Sequence, residues 1–181
     1  PAPLFGIVGE EPVGLLAAGA DFIQLDEPGF PRPPPGLDMA GAAEGINACI
    51  EGHEAVAAVH ICFGNNASRP NIRRVFGRLF PALGQLNCSL LLLEFANREM
   101  ADLDRLPELA ERYKIAAGVI DVKSFYQETA EDVAARIRRV LSVVSAERLF
   151  VTADCGFSAI PRSLARAKLR AMAAGARLVR E

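Results

Sequence analysis

Apolar residues along the chain fall into short runs divided by polar, Gly- and Pro-bearing stretches, and two periods alternate. Ala55–Ile61, Leu90–Leu93, Ile115–Ile120 and Leu149–Ala153 are nearly continuous apolar segments, short enough for strands buried on both faces. Ala20–Leu25 predicts a further strand after a short helix over Glu11–Gly19, while Pro1–Gly9 fits either a strand or a loop. Elsewhere the apolar positions recur every three or four residues, as on one face of a helix. Asp38 stands where an N-cap would open a helix running to about Gly52. Ile72, Val75, Phe76, Leu79 and Phe80 predict an amphipathic helix, with Arg69, Arg73, Arg74 and Arg78 as its solvated face. A helix is predicted over about Asp102–Tyr113. A stronger one starts at Thr129, with Glu131 and Asp132 in its first turn and Arg136, Arg138 and Arg139 near its end, complementing the helix dipole. Pro161–Arg180 reads as a long closing helix. Pro28, Pro31, Pro33, Pro34 and Pro35 exclude regular structure around 28–36 and predict an ordered loop or lid.

Strand–helix alternation without Asn-Gly hairpin turns argues for a parallel α/β sheet. The strand ends fall near Leu25, Cys62, Glu94, Asp121 and Ala153, at intervals of 37, 32, 27 and 32 residues, the pace of repeated βα units. No Gly-x-Gly-x-x-Gly or Walker-type loop follows a strand, which argues against a nucleotide-binding doubly wound sheet. The polar candidates instead sit at C-terminal strand ends, where a (β/α)8 TIM barrel places its active site. A full barrel takes about 250 residues. These 181 residues supply five to six βα units. Open parallel edges are costly, so residues 1–181 are expected to be the C-terminal part of a single barrel domain, completed by a missing N-terminal barrel segment or a partner chain.

Composition narrows the function classes. The formal net charge is -2 and only 7% of residues are aromatic, with no Trp, so neither a phosphate-tracking surface nor a base-stacking platform is expected, and nucleic acid is excluded as a partner. No apolar run approaches the roughly 18 residues of a membrane span, and no signal-like segment opens the sequence. No membrane association is expected, and the expected location is the cytoplasm. Cys49, Cys62, Cys88 and Cys155 are too scattered for a disulfide framework. Cys49 and Cys88 read as small core residues. Cys62 and Cys155 stand at strand ends.

His60-Ile61-Cys62 carries the most specific chemistry. Residues i and i+2 of a strand face the same side, so an imidazole and a thiolate would point together. Both are zinc ligands, and a catalytic zinc site keeps one position open for substrate or water. Glu94 and Cys155 end matching apolar runs. His60, Cys62, Glu94 and Cys155 are therefore the candidate metal set, drawn from three strands. Asp26 and Glu27 at one strand mouth, and Asp121 and Lys123 at another, are the further candidates. His53, in a polar turn, reads as an exposed residue.

The ordered set Ile23-Gln24-Leu25-Asp26-Glu27-Pro28, His60-x-Cys62, the Glu94 strand, Gly118-Val119-Ile120-Asp121-Val122-Lys123-Ser124 and Asp154-Cys155-Gly156 resembles the catalytic C-terminal domain of cobalamin-independent methionine synthase. It is also similar to the related epoxyalkane:coenzyme M transferases. The resemblance spans about residues 20–180. It implies zinc held by His60, Cys62, Glu94 and Cys155, and Asp26, with Glu27 beside it, as a contact to the amino group of homocysteine. It further implies a cobalamin-independent methyltransferase that moves a methyl or other alkyl group from a small-molecule donor to a thiol, with Asp121 and Lys123 as catalytic groups. The family's methionine synthases carry a histidine, a candidate proton donor, where this chain has Lys123. That departure weakens the implied folate half-reaction. An epoxide-opening transferase acting on a thiol such as coenzyme M is the alternative enzyme. A non-catalytic half-barrel with structural zinc is the alternative of another class.

Overall fold

The computed structural model describes residues 2–70 and 72–181. Five strands, β1 (Ile23–Asp26), β2 (Ala57–Ile61), β3 (Leu90–Leu93), β4 (Lys114–Ile120) and β5 (Leu149–Ala153), form one sheet. They lie side by side in chain order and every pairing is parallel. Asp26 stands opposite His60, His60 opposite Leu92, Leu92 opposite Ala116 and Ala116 opposite Phe150. The C-terminal strand ends therefore share one rim. The expected α/β class is the one observed, a run of consecutive βα units forming part of a barrel.

The helices are α1 (Ala2–Ala17), α2 (Met39–Cys49), α3 (Phe80–Leu83), α4 (Leu106–Ala110), α5 (Ala130–Leu141) and α6 (Arg162–Arg180). Ile23, Ala57, Val59, Ile61, Leu91, Leu93, Ile115 and Ala117 are the sheet's buried share of the main core, joined by residues such as Ile46, Leu79, Leu83, Leu106 and Tyr113. The Tyr113 hydroxyl reaches the carbonyls of Leu86 at 2.7 Å and Leu83 at 2.9 Å, so its polar end is satisfied inside the core. A second cluster joins Val119, Ile120 and Val122 to Val133 and Ile137 of α5 and to α6. In β3 only Leu91 and Leu93 are buried. Leu90 and Leu92 are half-buried, and Phe150, in register with Leu92, is exposed. The sheet's inner face is thus partly open, because no described strand lies across from it.

Several elements differ from expectation. α1 takes in most of the Glu11–Gly19 helix, ending at Ala17, and extends back to Ala2, so that residues 2–9 are helical where a strand or a loop was expected, with Pro12 inside. Residues 72–79 form no helix. Phe76, Leu79 and Phe80 are buried as the pattern demands, but the chain turns irregularly and reaches only the single turn α3. The Phe76 amide donates to Asp102, Arg78 donates to the Pro31 carbonyl at 3.2 Å, and Arg74 donates to Asn97. These arginines tie neighbouring loops together instead of covering a helix. The Asp102–Tyr113 helix shrinks to a 3-10 turn (Leu103–Arg105) followed by α4, with Asp102 in the left-handed region at φ 63°. The expected start at Thr129 is present as a capping box with Asp132.

Lys168 and Gly175 place α6 against the β4–α5 loop and against α5. The Lys168 ammonium of α6 is fully buried and donates to Glu128 Oε2 at 2.6 Å, to the Asp121 carbonyl at 2.9 Å and to the Tyr126 carbonyl. Gly175 permits the close approach of α6 to α5, since a Cβ there would lie 2.6 Å from the Val133 Cβ and 2.7 Å from the Ala130 carbonyl oxygen. No helix among the described residues is long and apolar enough to cross a membrane.

Candidate metal centre

The rim of C-terminal strand ends collects the chemistry. His60 is the fourth residue of β2, Cys62 follows that strand directly, and Cys155 lies two residues beyond β5. One ligand atom from each lies within 4.8 Å of the other two, and the grouping is the one such His/Cys/acid cluster of three among the described residues. The two Sγ atoms are 3.7 Å apart. Asn65, in the turn after Cys62, donates to the Gly156 carbonyl at 2.8 Å and latches the β2 loop to the β5 loop.

His60 is held from two sides. Nδ1 lies 3.1 Å from Asp26 Oδ1 and Nε2 lies 3.1 Å from the Asp154 carbonyl. A neutral imidazole carries one N–H, so it donates to one of these acceptors and its other nitrogen keeps a lone pair for a metal. Gln24 donates to the same Asp26 oxygen at 2.7 Å.

Glu94 follows β3 and is fully buried. Its Oε2 accepts from the Lys123 ammonium at 2.7 Å and from the Phe63 amide at 3.4 Å. Its Oε1 is buried and accepts from no described residue. Glu94 therefore stands outside the group of His60, Cys62 and Cys155, turned to Lys123, with one carboxylate oxygen uncommitted. An imidazole, two thiols and an orphaned buried carboxylate oxygen suit a zinc ion. Asp121 Oδ1 accepts from Asn97 Nδ2 at 3.0 Å and from the Lys123 amide at 2.8 Å, so it shapes the loop carrying Lys123. Glu27 is not with this group. Its carboxylate caps the Gly29 amide at 3.0 Å and borders an apolar cavity of about 360 Å³ under the proline-rich loop. Burial there raises its pKa.

Asp154 is the residue that the sequence left without a role. Its side chain accepts from the amides of Phe95 at 2.9 Å, Ala96 at 3.0 Å and Asn97 at 2.6 Å, bracing the segment after Glu94 against the Cys155 loop. Burial, and then the charge of Glu94, push its carboxyl well above the usual range, with those three amides opposing them. Gly118 makes room for it, since a Cβ there would lie 2.1 Å from Asp154 Oδ1. A glycine within a strand is the signal of such a close approach.

The hydrogen bond between the thiols separates their acidities. It draws Cys155 down to about 6, helped by His60 and Lys123, while the same bond and burial push Cys62 up. In metal-free protein Cys155 is therefore the thiol that ionises first. Iodoacetamide is therefore expected to modify Cys155 at a rate that rises through about pH 6 and then levels, with Cys62 spared. Peptide mapping across pH 5–9 checks this, and an inflection near the ordinary thiol value of roughly 8.5 would contradict it.

A cleft of about 240 Å³ opens beside the cluster, bordered by Gln24, Asp26, His60, Leu92, Thr152 and Cys155. Comparison with known proteins bears on what it serves. The family model for the catalytic domain of cobalamin-independent synthase matches residues 6–178. Among curated relatives, a methionine synthase of Thermococcus kodakarensis is 33% identical over 166 residues, 92% of this chain and 46% of that protein. A 2-hydroxypropyl-CoM lyase of Xanthobacter autotrophicus is 35% identical over 193 residues, 91% of this chain and 50% of that protein. A solved B12-independent methionine synthase from Shewanella sp. W3-18-1, in complex with selenomethionine, matches with a TM-score of 0.82 and 33% identity, covering 98% of this chain and 53% of that one. The chain spans about half the length of the curated relatives it matches.

Proposed function

We propose that this chain, which belongs to the family of cobalamin-independent synthase catalytic domains, carries the zinc-dependent thiol-activating site of a cobalamin-independent methyltransferase. The reaction is transfer of a methyl or other alkyl group from a small-molecule donor to a thiol, with homocysteine the first candidate. The observation that carries this reading is the convergence of His60, Cys62 and Cys155 within 4.8 Å beside an open cleft.

His60, Cys62 and Cys155 would hold the metal, with Glu94 as the fourth ligand. Bound there, zinc would stabilise the thiolate of a substrate that is otherwise mostly protonated at pH 7. The chain's own groups do the rest. Asp26 fixes the His60 ring through Oδ1, and its side chain is 68% exposed at the cleft border, so it is also available to a substrate ammonium. Asp121 shapes the loop that brings the Lys123 ammonium to Glu94. Leu92 and Ala153 give the cleft apolar wall, which suits a short alkyl chain next to sulfur.

Protein loaded with zinc is expected to release about one proton per metal at pH 7 when homocysteine is added, because a thiol of pKa near 8.5 binds as thiolate. Homoserine should release none. A pH-indicator titration reads both. Release with 2-mercaptoethanesulfonate but not homocysteine would move the assignment to the coenzyme M type, a reading supported by similarity to the 2-hydroxypropyl-CoM lyase. Zinc bound without proton release by any thiol would leave a structural metal and sink the catalytic reading.

A further inference from the structure

We propose that Lys123 is the counter-ion that receives Glu94 whenever a thiol takes its place on the metal, so that the fourth ligand is a carboxylate with two alternative partners. The proposal rests on the zinc reading above and deepens it. Glu94 is fully buried and the Lys123 side chain is only 2% exposed, so neither charge has water as an alternative partner. A buried carboxylate that leaves a cation must meet another one or remain uncompensated, which is strongly unfavourable. The ammonium 2.7 Å from Oε2 is that second partner, and Oε1 is the oxygen left for the metal.

The placement of Lys123 is fixed independently of Glu94. Its amide donates to Asp121 Oδ1, and the carbonyl of Asp121 accepts from the buried Lys168. The loop is thereby pinned from α6, and the flexible stem of Lys123 is what adapts. A lysine suits this task because it presents a compact ammonium with three rotatable donors on a flexible four-carbon stem. Lys123 is on this account a positioning residue acting through Glu94.

The test compares zinc and thiol affinities of the full chain in a four-member set: wild type, Lys123→Met, Glu94→Gln and the double variant. Zinc affinity is read by competition with a chromophoric chelator, and homocysteine binding is read from the visible spectrum of the cobalt(II)-substituted protein. Lys123→Met removes the competitor for Glu94. It is expected to bind zinc about tenfold more tightly and homocysteine about tenfold more weakly, within the ordinary range of coupling between two equilibria. Both effects should vanish in the Glu94→Gln background, where no carboxylate is left to exchange. Lys123→Gln carries the same prediction if the methionine variant does not fold. Equal affinities in wild type and the Lys123 variants, or changes that persist without Glu94, would overturn the proposal while leaving the zinc reading intact. A wild type that binds no zinc would overturn both.

Discussion

Replacing Cys155 with alanine is expected to weaken zinc binding at pH 7 by at least about two orders of magnitude, and Cys62→Ala and His60→Ala to do the same. A structural zinc site is worth roughly 10–16 kcal/mol in total. Spread over four ligands this is about 3 kcal/mol each, or about a hundredfold in affinity. The three residues should behave alike because their ligand atoms form one group within 4.8 Å. Glu94→Gln should cost less, since the carboxylate already divides its interactions between Lys123, the Phe63 amide and an uncommitted oxygen. Cys49→Ala and Cys88→Ala are the controls. Both are buried and outside the group of His60, Cys62 and Cys155, so those variants should lose packing and keep zinc. Competition titration against a chelator of known affinity separates the two classes. Wild-type affinity in Cys155→Ala would remove the metal centre from this rim. With free zinc at a hundred times its dissociation constant, the metal would also add about 2.7 kcal/mol to folding stability, so the ligand variants should lose a zinc-dependent rise in melting temperature that the controls retain.

What the sequence made legible follows from strong local signals. β2 to β5 are apolar runs bounded by turn chemistry, and their recurrence at 27 to 32 residues placed His60, Cys62, Glu94 and Cys155 at strand ends that parallel register brings to one rim. The 72–79 segment misled because helical spacing of Val75, Phe76 and Leu79 is also what a loop shows when it pins several apolar residues into a core. What decided it was the use of Arg74 and Arg78 on neighbouring loops, a tertiary matter without a local pattern. Lys168 sits in an Ala- and Arg-rich helix and reads as one more surface cation, yet it is the buried partner of Glu128. Arg98, on the loop after β3, is buried over the ring of Phe76 at 4.6 Å. Asp26 was expected to meet substrate, and the geometry gives it a second task in holding His60.

Asp154 shows how much of the site depends on a group that touches no ligand atom with its side chain. Asp154→Ala would leave the buried amides of Phe95 and Ala96, and the partly buried amide of Asn97, without partners. At roughly 1–3 kcal/mol for each of the three unsatisfied donors, the expected loss is about 3–9 kcal/mol, a large share of the roughly 5–15 kcal/mol available to a domain. Gly118→Ala attacks the same contact from the other side. Its Cβ would lie 2.1 Å from Asp154 Oδ1 and 2.9 Å from the Asp154 Cα, so backbone as well as side chain must move. Because the Asp154 carbonyl faces His60 Nε2 at 3.1 Å and Cys155 is the next residue, that movement is carried into the metal set. Urea unfolding of both variants should show the stability loss. Zinc titration should show affinity lowered about 10–100-fold, the ordinary effect of removing a group that orients metal ligands. Asp154→Asn keeps the volume and one carbonyl oxygen, and should fall between wild type and alanine in both measurements. Wild-type zinc affinity in folded Gly118→Ala would show that the cluster is positioned independently of the β4–β5 contact.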